Sequence, residues 1–125
     1  MSLAAQKPVA FVATTSAAKA RRFYRDKLGL RLVDEGPFAL VFNAKGTMLR
    51  VQLVDKVVPA KYTVLGWEVK NIEKTIAQLK KARVKFNRYA GMGQDRLGIW
   101  TSPSSARIAW FTDPDGNTLS LTQFK

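Results

Sequence analysis

The strongest constraint on the fold is that the chain repeats itself. The segment VAFVATTSAAKA aligns with VLGWEVKNIEKT, so that Val9 matches Val64 and Ser16 matches Asn71. In each copy an apolar, strand-like run is followed by a polar residue and an amphipathic stretch. An internal repeat of this kind indicates that each copy is one supersecondary unit and that the two units share a topology.

The repeat continues to the far end of each copy. FALVFNAKGTMLRVQL aligns with IAWFTDPDGNTLSLTQ, so that Gly46 matches Gly116 and Arg50 matches Ser120. The second copy is longer than the first by about fifteen residues, which we assign to a loop over residues 89–106. We expect this loop to be a mobile lid or a dimer contact.

Two segments show the helical period. The first helix is predicted over Ala17–Leu28, with Ser16 as its N-cap and Gly29 as its stop. The second is predicted over Ile72–Ala82, after an Asn71 cap. Apolar residues recur on one face of both segments, so each helix is expected to cover one side of a sheet.

Alternating or continuous apolar runs predict the strands. They are Val9–Thr14, Arg31–Val33, Phe38–Phe42, Met48–Val54, Tyr62–Val69, Lys85–Arg88, Gly98–Thr101, Ile108–Thr112 and Thr118–Gln123. The predicted fold class is therefore α+β, with a single domain built of two βαβββ modules over residues 8–54 and 62–124 and a linker over 55–61. We expect one curved, eight-stranded mixed sheet around a cleft, with the helices on the outside.

Strand alternation divides the last strand between two faces of its sheet. Leu119 and Leu121 are predicted to pack under a helix, which leaves Ser120 on the opposite face. The repeat and the alternation within the fifth strand place further residues on the face of Ser120. They are Met48, Arg50, Gln52, Tyr62, Val64, Gly66 and Glu68. We expect this face to line the cleft.

The composition excludes several kinds of active site. The 125 residues contain no cysteine and no histidine. A thiolate metal site and a catalytic triad with a histidine base are therefore both excluded. No apolar run approaches the length of a membrane span. We expect a cytoplasmic protein with no membrane partner.

The charge balance is strongly basic. Lysine and arginine number 21 against 9 aspartates and glutamates, which gives a net charge of +12. Such a balance attracts anions, including acidic metabolites and nucleic acid. The basic residues are scattered and form no dense tail, so a solvated surface is the first interpretation. An anionic small molecule is the second interpretation and nucleic acid the third.

Three stretches carry a resemblance to a known family: ARRFYRDKLGL, GWEVKNIEKTIAQLKKARV and WFTDPDGNTLSL. With the duplicated βαβββ pattern, they resemble the vicinal oxygen chelate superfamily of glyoxalases, bleomycin-resistance proteins and extradiol dioxygenases. The combination of FYRDKLG with a terminal DPDGN is specific, and the resemblance covers nearly the whole chain. It implies a ligand-binding cleft and a homodimer.

The resemblance also implies four metal-ligand positions, where metal-dependent members carry histidine, glutamate or glutamine. In this chain they are Val9, Arg50, Val64 and Ser120, with Gln52 as an alternative to Arg50. Two aliphatic side chains and a guanidinium cannot bind a divalent cation, and a lone serine hydroxyl is a poor ligand. We therefore expect no metal and no other cofactor.

Polar and aromatic residues of the same face are the candidate ligand-binding residues. A guanidinium on a concave face can hold a carboxylate or phosphate, so Arg50 is the strongest candidate for a ligand-binding residue. The alternative is a rim arginine that is solvated or paired with Glu68. Glu68 is a weak candidate for a general base, and a structural salt bridge is its alternative. The other candidates are Gln52, Tyr62, Trp110 and Ser120, each of which is otherwise an ordinary sheet residue.

The leading hypothesis is a glyoxalase/bleomycin-resistance-like protein that lacks the family's metal ligands and binds a small anionic or neutral organic molecule. By the resemblance, bleomycin-type antibiotics are cationic and their binders acidic, so the +12 charge argues against bleomycin itself. The alternative is an enzyme of the superfamily, a lyase, isomerase or dioxygenase, with an atypical metal or none. Nucleic-acid binding is the third hypothesis. The missing ligands favour binding over catalysis.

Overall fold

The computed structural model describes residues 2–125, which form two compact units that meet in sequence between Val58 and Pro59. The first unit contains β1 (Val9–Thr14), α1 (Ala17–Ala20), a π-helical segment (Arg21–Lys27), β2 (Arg31–Glu35), β3 (Ala39–Ala44) and β4 (Thr47–Leu53). The second contains β5 (Thr63–Glu68), α2 (Ile72–Lys81), β6 (Trp100–Thr101), β7 (Arg107–Thr112) and β8 (Thr118–Gln123). A 3₁₀ turn, Leu3–Ala5, precedes β1.

Each unit contains one four-stranded sheet, and the two sheets have the same strand order. The first runs β1-β4-β3-β2 and the second β5-β8-β7-β6. In each sheet the first and last strands of the unit pair in parallel, and the other neighbours are antiparallel. The predicted α+β class with two βαβββ modules is confirmed, and the eight strands are divided equally between the two sheets.

The first helix begins at the predicted residue, because the Ser16 hydroxyl accepts a hydrogen bond from the Lys19 amide at 3.2 Å. Only its first turn is α-helical, and the π-helical segment follows. Phe23 and Tyr24, adjacent in sequence, are both buried there, with their rings 5.1 Å apart edge to face. The sequence pattern predicted an ordinary α-helix, since the wider π turn leaves no periodic signal over so short a stretch.

The second helix agrees closely with its prediction. Asn71 caps α2 by accepting a hydrogen bond from the Lys74 amide at 3.0 Å. The Gln123 side chain of β8 accepts another from the Ile72 amide at 2.9 Å, which fastens the start of the helix to the sheet. The buried residues of the helix are Ile72, Ile76 and Leu79, which form the apolar face predicted from its period.

The predicted strand Lys85–Arg88 is wrong. It forms a single antiparallel bridge, between Phe86 and Phe111, and one hydrogen bond from the Asn87 amide to the Trp110 carbonyl at 2.7 Å. The same edge of β7 is occupied further along by the two residues of β6. Because two separate segments share this edge, neither has enough of it to form a long strand.

None of the helices described in residues 2–125 has the length and apolarity to cross a membrane.

A candidate ligand-binding recess in the second unit

An open recess of about 470 Å³ lies on the β7–β8 surface of the second unit. We call it the aromatic recess; its lining residues are Lys61, Tyr62, Thr63, Tyr89, Met92, Trp110 and Thr118. Its volume is within the range of small-molecule pockets, and three of its seven lining side chains are aromatic. The one charged group in the lining is the ammonium of Lys61.

The aromatic wall of the recess belongs to a row of three rings. The centroid of the Trp110 ring is 5.8 Å from that of Tyr89, nearly perpendicular, and 6.2 Å from that of Trp100. Trp100 and Trp110 come from the short strand β6 and its neighbour β7. Contacts of this kind between aromatic rings hold each ring in place without covering all of its faces.

Both polar ends of Tyr89 are hydrogen-bonded. Its amide donates to the Gln94 side-chain oxygen at 2.7 Å, and its hydroxyl accepts from the Asn87 side-chain amide at 3.1 Å. Asn87 is in turn hydrogen-bonded to the Thr112 hydroxyl of β7 at 2.8 Å. Tyr89 is therefore attached to the sheet through Asn87, although it comes from a loop with no regular structure.

The loop that carries Tyr89 is fastened by two side chains. The Gln94 amide group donates to the carbonyls of Asn87 and Gly98 at 3.1 and 2.8 Å. The Asp95 carboxylate accepts from the amides of Leu97 and Ile99, both at 2.9 Å. These bonds satisfy backbone groups that a loop would otherwise leave to water, so they favour one conformation of the loop.

Trp110 is fixed by the residue that starts β5. Its indole nitrogen donates to the Thr63 hydroxyl at 3.0 Å. The β5–β8 pairing is irregular between Thr63 and Leu65, and Thr63 lies opposite Thr118. This irregularity interrupts the alternation that predicted Tyr62, Val64, Gly66 and Glu68 on one face, because an extra residue at a bulge shifts the side chains that precede it.

Gly66 and Ser120, which the sequence predicted on one face, are direct neighbours across β5 and β8. Ser120 is buried, with 7% of its surface exposed, and lies between Gly66 and Trp110 in the sheet. A Cβ atom on Gly66 would be only 2.5 Å from the Ser120 hydroxyl oxygen. Ser120 lies on the same sheet face as Trp110 and Thr118, which line the aromatic recess, but it is not itself one of the lining residues.

A family comparison agrees with this architecture. The family model of the Glyoxalase/Bleomycin resistance protein/Dioxygenase superfamily matches residues 7–121. The chain belongs to this superfamily. A search of curated protein sequences found no significant match.

Several solved structures share the superfamily fold. A glyoxalase family protein from Enterococcus faecalis superposes with a TM-score of 0.74 at 19% identity, covering 92% of this chain and 94% of that one. A fosfomycin resistance protein from Listeria monocytogenes gives 0.73 at 12% identity, with coverage of 97% and 92%. A bleomycin-binding protein in complex with bleomycin gives 0.72 at 15%, with coverage of 96% and 99%. At these identities the similarity establishes the fold.

The positions at which the resemblance implies metal ligands carry unsuitable groups here. Val9 begins β1 and is 44% exposed, and Val64 lies at the irregular point of β5 with 38% exposed. Arg50 lies in β4 between Phe11 and Val41 and is half-buried. Aliphatic groups and a guanidinium do not fit a divalent cation. In residues 2–125 no three acidic side chains come together as a metal site either.

The other predicted residues are spread over both sheets. Tyr62 and Trp110 line the aromatic recess. Gln52 is exposed in β4, opposite Ala13 and Ala39. Glu68 is exposed at the end of β5, opposite Thr122. A smaller recess of about 200 Å³ on the first sheet is lined mainly by apolar residues, and Arg50 is not among them.

Five lining residues of the aromatic recess were not among the candidate ligand-binding residues of the sequence analysis. They are Lys61, Thr63, Tyr89, Met92 and Thr118. Strand alternation assigned Thr63 to the other face, and the bulge overturns that assignment. Tyr89 and Met92 belong to a loop, where no periodic signal indicates which way a side chain points. The aromatic and sulfur side chains of these two loop residues were the available signal.

Proposed function

We propose that this superfamily member binds a small neutral or anionic organic molecule in the aromatic recess, without a metal. The observation that carries the proposal is the make-up of the lining: three aromatic rings and a lysine, with no acidic residue. Apolar walls with a few polar groups are typical of small-molecule sites. The net charge of +12 favours an anion over a cation.

Ligand-dependent melting tests the proposal. The panel contains aliphatic and aromatic carboxylates, phosphate monoesters, neutral alcohols and amides, with organic amines as the matched cationic set. A ligand that binds only the folded state raises the melting midpoint as its concentration exceeds Kd. We expect shifts with neutral or anionic compounds and none with amines. No shift with any compound at high excess contradicts the proposal.

Elemental analysis of the purified protein tests the metal-free part separately. Val9, Arg50, Val64 and Ser120 supply one weak donor between them, so we expect no stoichiometric transition metal. Zinc, nickel, iron or manganese at one equivalent per chain contradicts this part of the proposal. Such a result would favour the alternative of a lyase, isomerase or dioxygenase.

The homodimer and the cytoplasmic location remain proposals that rest on the superfamily resemblance and the composition. Size-exclusion chromatography with light scattering tests the first, with a mass of twice 14.0 kDa as the expected result.

A further inference from the structure

The polar groups of the aromatic recess differ in what they can offer a ligand. The Trp110 indole has one donor, and it is already directed to the Thr63 hydroxyl. The Thr63 oxygen accepts that bond, which leaves its own O–H as a donor. The Tyr89 oxygen likewise accepts from Asn87 and keeps its O–H. Lys61 has donors only.

Unused donors therefore remain in the recess. Lys61 supplies N–H donors with a positive charge, and the hydroxyls of Thr63 and Tyr89 in the same lining each keep a proton to donate, as do those of Tyr62 and Thr118. A ligand group with several acceptor oxygens and a negative charge matches this set, because charge-assisted hydrogen bonds are stronger than neutral ones.

The apolar part of the recess selects for shape. The Tyr89 and Trp110 rings stand 80° apart, so a flat ring that stacks on one of them presents its edge to the other. Both rings are held by hydrogen bonds to the protein, through Gln94, Asn87 and Thr63. A wall that is already ordered loses little conformational freedom when a planar ligand stacks on it.

We propose that the ligand of the aromatic recess is a planar aromatic carboxylate, whose ring stacks on Trp110 or Tyr89 and whose carboxylate binds Lys61. This inference rests on the proposed function and narrows it to one ligand class. The class is set by the combination of ordered aromatic faces with unused donors and no acidic lining residue.

Four probes of similar size separate the features of the ligand. They are 2-naphthoate, its saturated analogue decahydro-2-naphthoate, the neutral 2-naphthalenemethanol and the cationic 2-naphthylmethylamine. Isothermal titration gives Kd for each. We expect 2-naphthoate to bind tighter than the saturated acid by about five- to tenfold, from lost stacking. We expect it to bind tighter than the alcohol by about tenfold, from the lost charge-assisted bond. The amine is expected to be the weakest.

Variants assign these differences to residues. Lys61→Gln should weaken 2-naphthoate by about three- to tenfold and leave 2-naphthalenemethanol unchanged. Lys74→Gln removes the same charge from the exposed side of α2, outside the recess, and should change neither Kd by more than about twofold. Tyr89→Leu should weaken the binding of 2-naphthoate and of 2-naphthalenemethanol by about fivefold, whereas Tyr89→Phe keeps the ring and should change either Kd by no more than about twofold.

The outcomes distinguish the inference from the proposed function. Equal binding of 2-naphthoate and its saturated analogue, or no effect of Lys61→Gln, overturns the aromatic carboxylate while the recess remains a binding site. Failure of all four probes, together with a melting shift only from compounds that are not aromatic carboxylates, also overturns the ligand class alone. Failure of the probes and of the whole melting panel overturns both.

Discussion

Ser120 occupies a position at which the superfamily resemblance implies a metal ligand, and its surroundings show what the residue does here. It is buried between Gly66 and Trp110, and its hydroxyl lies close to the glycine. Ser120 thus packs closely against Gly66.

Gly66→Ala should destabilise the protein by about 1–3 kcal/mol, since overpacking a well-filled site forces its neighbours to move. The new Cβ would be 2.5 Å from the Ser120 hydroxyl oxygen and 3.3 Å from the Ser120 carbonyl oxygen. Ser120→Ala removes the nearer atom. We therefore expect the double variant to lose at least 0.5 kcal/mol less unfolding free energy than the sum of the losses in the two single variants, as for residues in direct contact. Urea unfolding measures all three, and strictly additive losses would refute the contact.

At the level of elements, the repeated turns differ in a way that the sequence does not reveal. Gly46 and Gly116 occupy matching turns and both have a positive φ, of 88° and 89°. A Cβ atom on Gly46 would meet nothing within 4 Å, whereas one on Gly116 would be 2.9 Å from Pro59 Cγ. Both glycines are needed for the backbone conformation, but only one also avoids a clash.

Alanine at each glycine separates these two effects. Gly46→Ala should cost about 1–2 kcal/mol, from the left-handed backbone alone. Gly116→Ala should lower the free energy of unfolding by about 1 kcal/mol or more beyond the loss in Gly46→Ala, because of the contact with Pro59. Differential scanning calorimetry of the two variants gives the comparison, and Pro59→Ala in the Gly116→Ala background should recover the difference. Equal losses from the two glycine variants would show that Pro59 plays no part.

A salt bridge joins the π-helical segment to β2. Arg21 donates two hydrogen bonds to the Glu35 carboxylate, at 2.9 and 2.6 Å. The bond to Arg21 and its charge lower the pKa of Glu35 below its ordinary value of 4.5. A carboxyl whose pKa falls on folding stabilises the native state above its ordinary pKa, and the stabilisation is lost as the pH falls through the lowered value.

Glu35→Gln should therefore lower the melting temperature slightly at pH 7, and the difference from the wild type should disappear as the pH falls through the lowered pKa of Glu35. The effect is small because the pair is exposed to solvent. Asp34→Asn removes a charge from the neighbouring residue and controls for the change in net charge. A Glu35→Gln difference that stays constant from pH 7 to pH 3 would mean that the salt bridge contributes nothing.

The elements themselves show where sequence reasoning succeeds. Strand β1 and strand β8 have the predicted bounds, and α2 ends within one residue of its prediction. These elements have a strong period and clear caps, so local signals determine them. The predicted strand Lys85–Arg88 does not form, because the edge of β7 that it would pair with is shared with β6. Which segments share an edge is decided by tertiary pairing, and the local sequence carries no signal for it.

For the molecule as a whole, the internal repeat was the most informative signal. It predicted the same order of elements along both units and matched Arg50 with Ser120. In the structure Arg50 lies between Phe11 and Val41 in one sheet, and Ser120 lies between Gly66 and Trp110 in the other. The topology is repeated, whereas the side chains at matching positions differ. The candidate site depends on a bulge and a loop, neither of which has a counterpart in the repeat.

The three tryptophan indoles provide the most direct test of the aromatic recess. Trp110 lines it, Trp100 contacts Trp110, and Trp67 stacks on Phe111, which packs with the core on the other face of the sheet. We would titrate ¹⁵N-labelled protein with the panel compound that raises the melting midpoint most, and follow the indole N–H resonances by NMR. The Trp110 resonance should move most, Trp100 less, and Trp67 should stay in place. A titration that moves Trp67 and leaves Trp110 unchanged would contradict a ligand site in the aromatic recess.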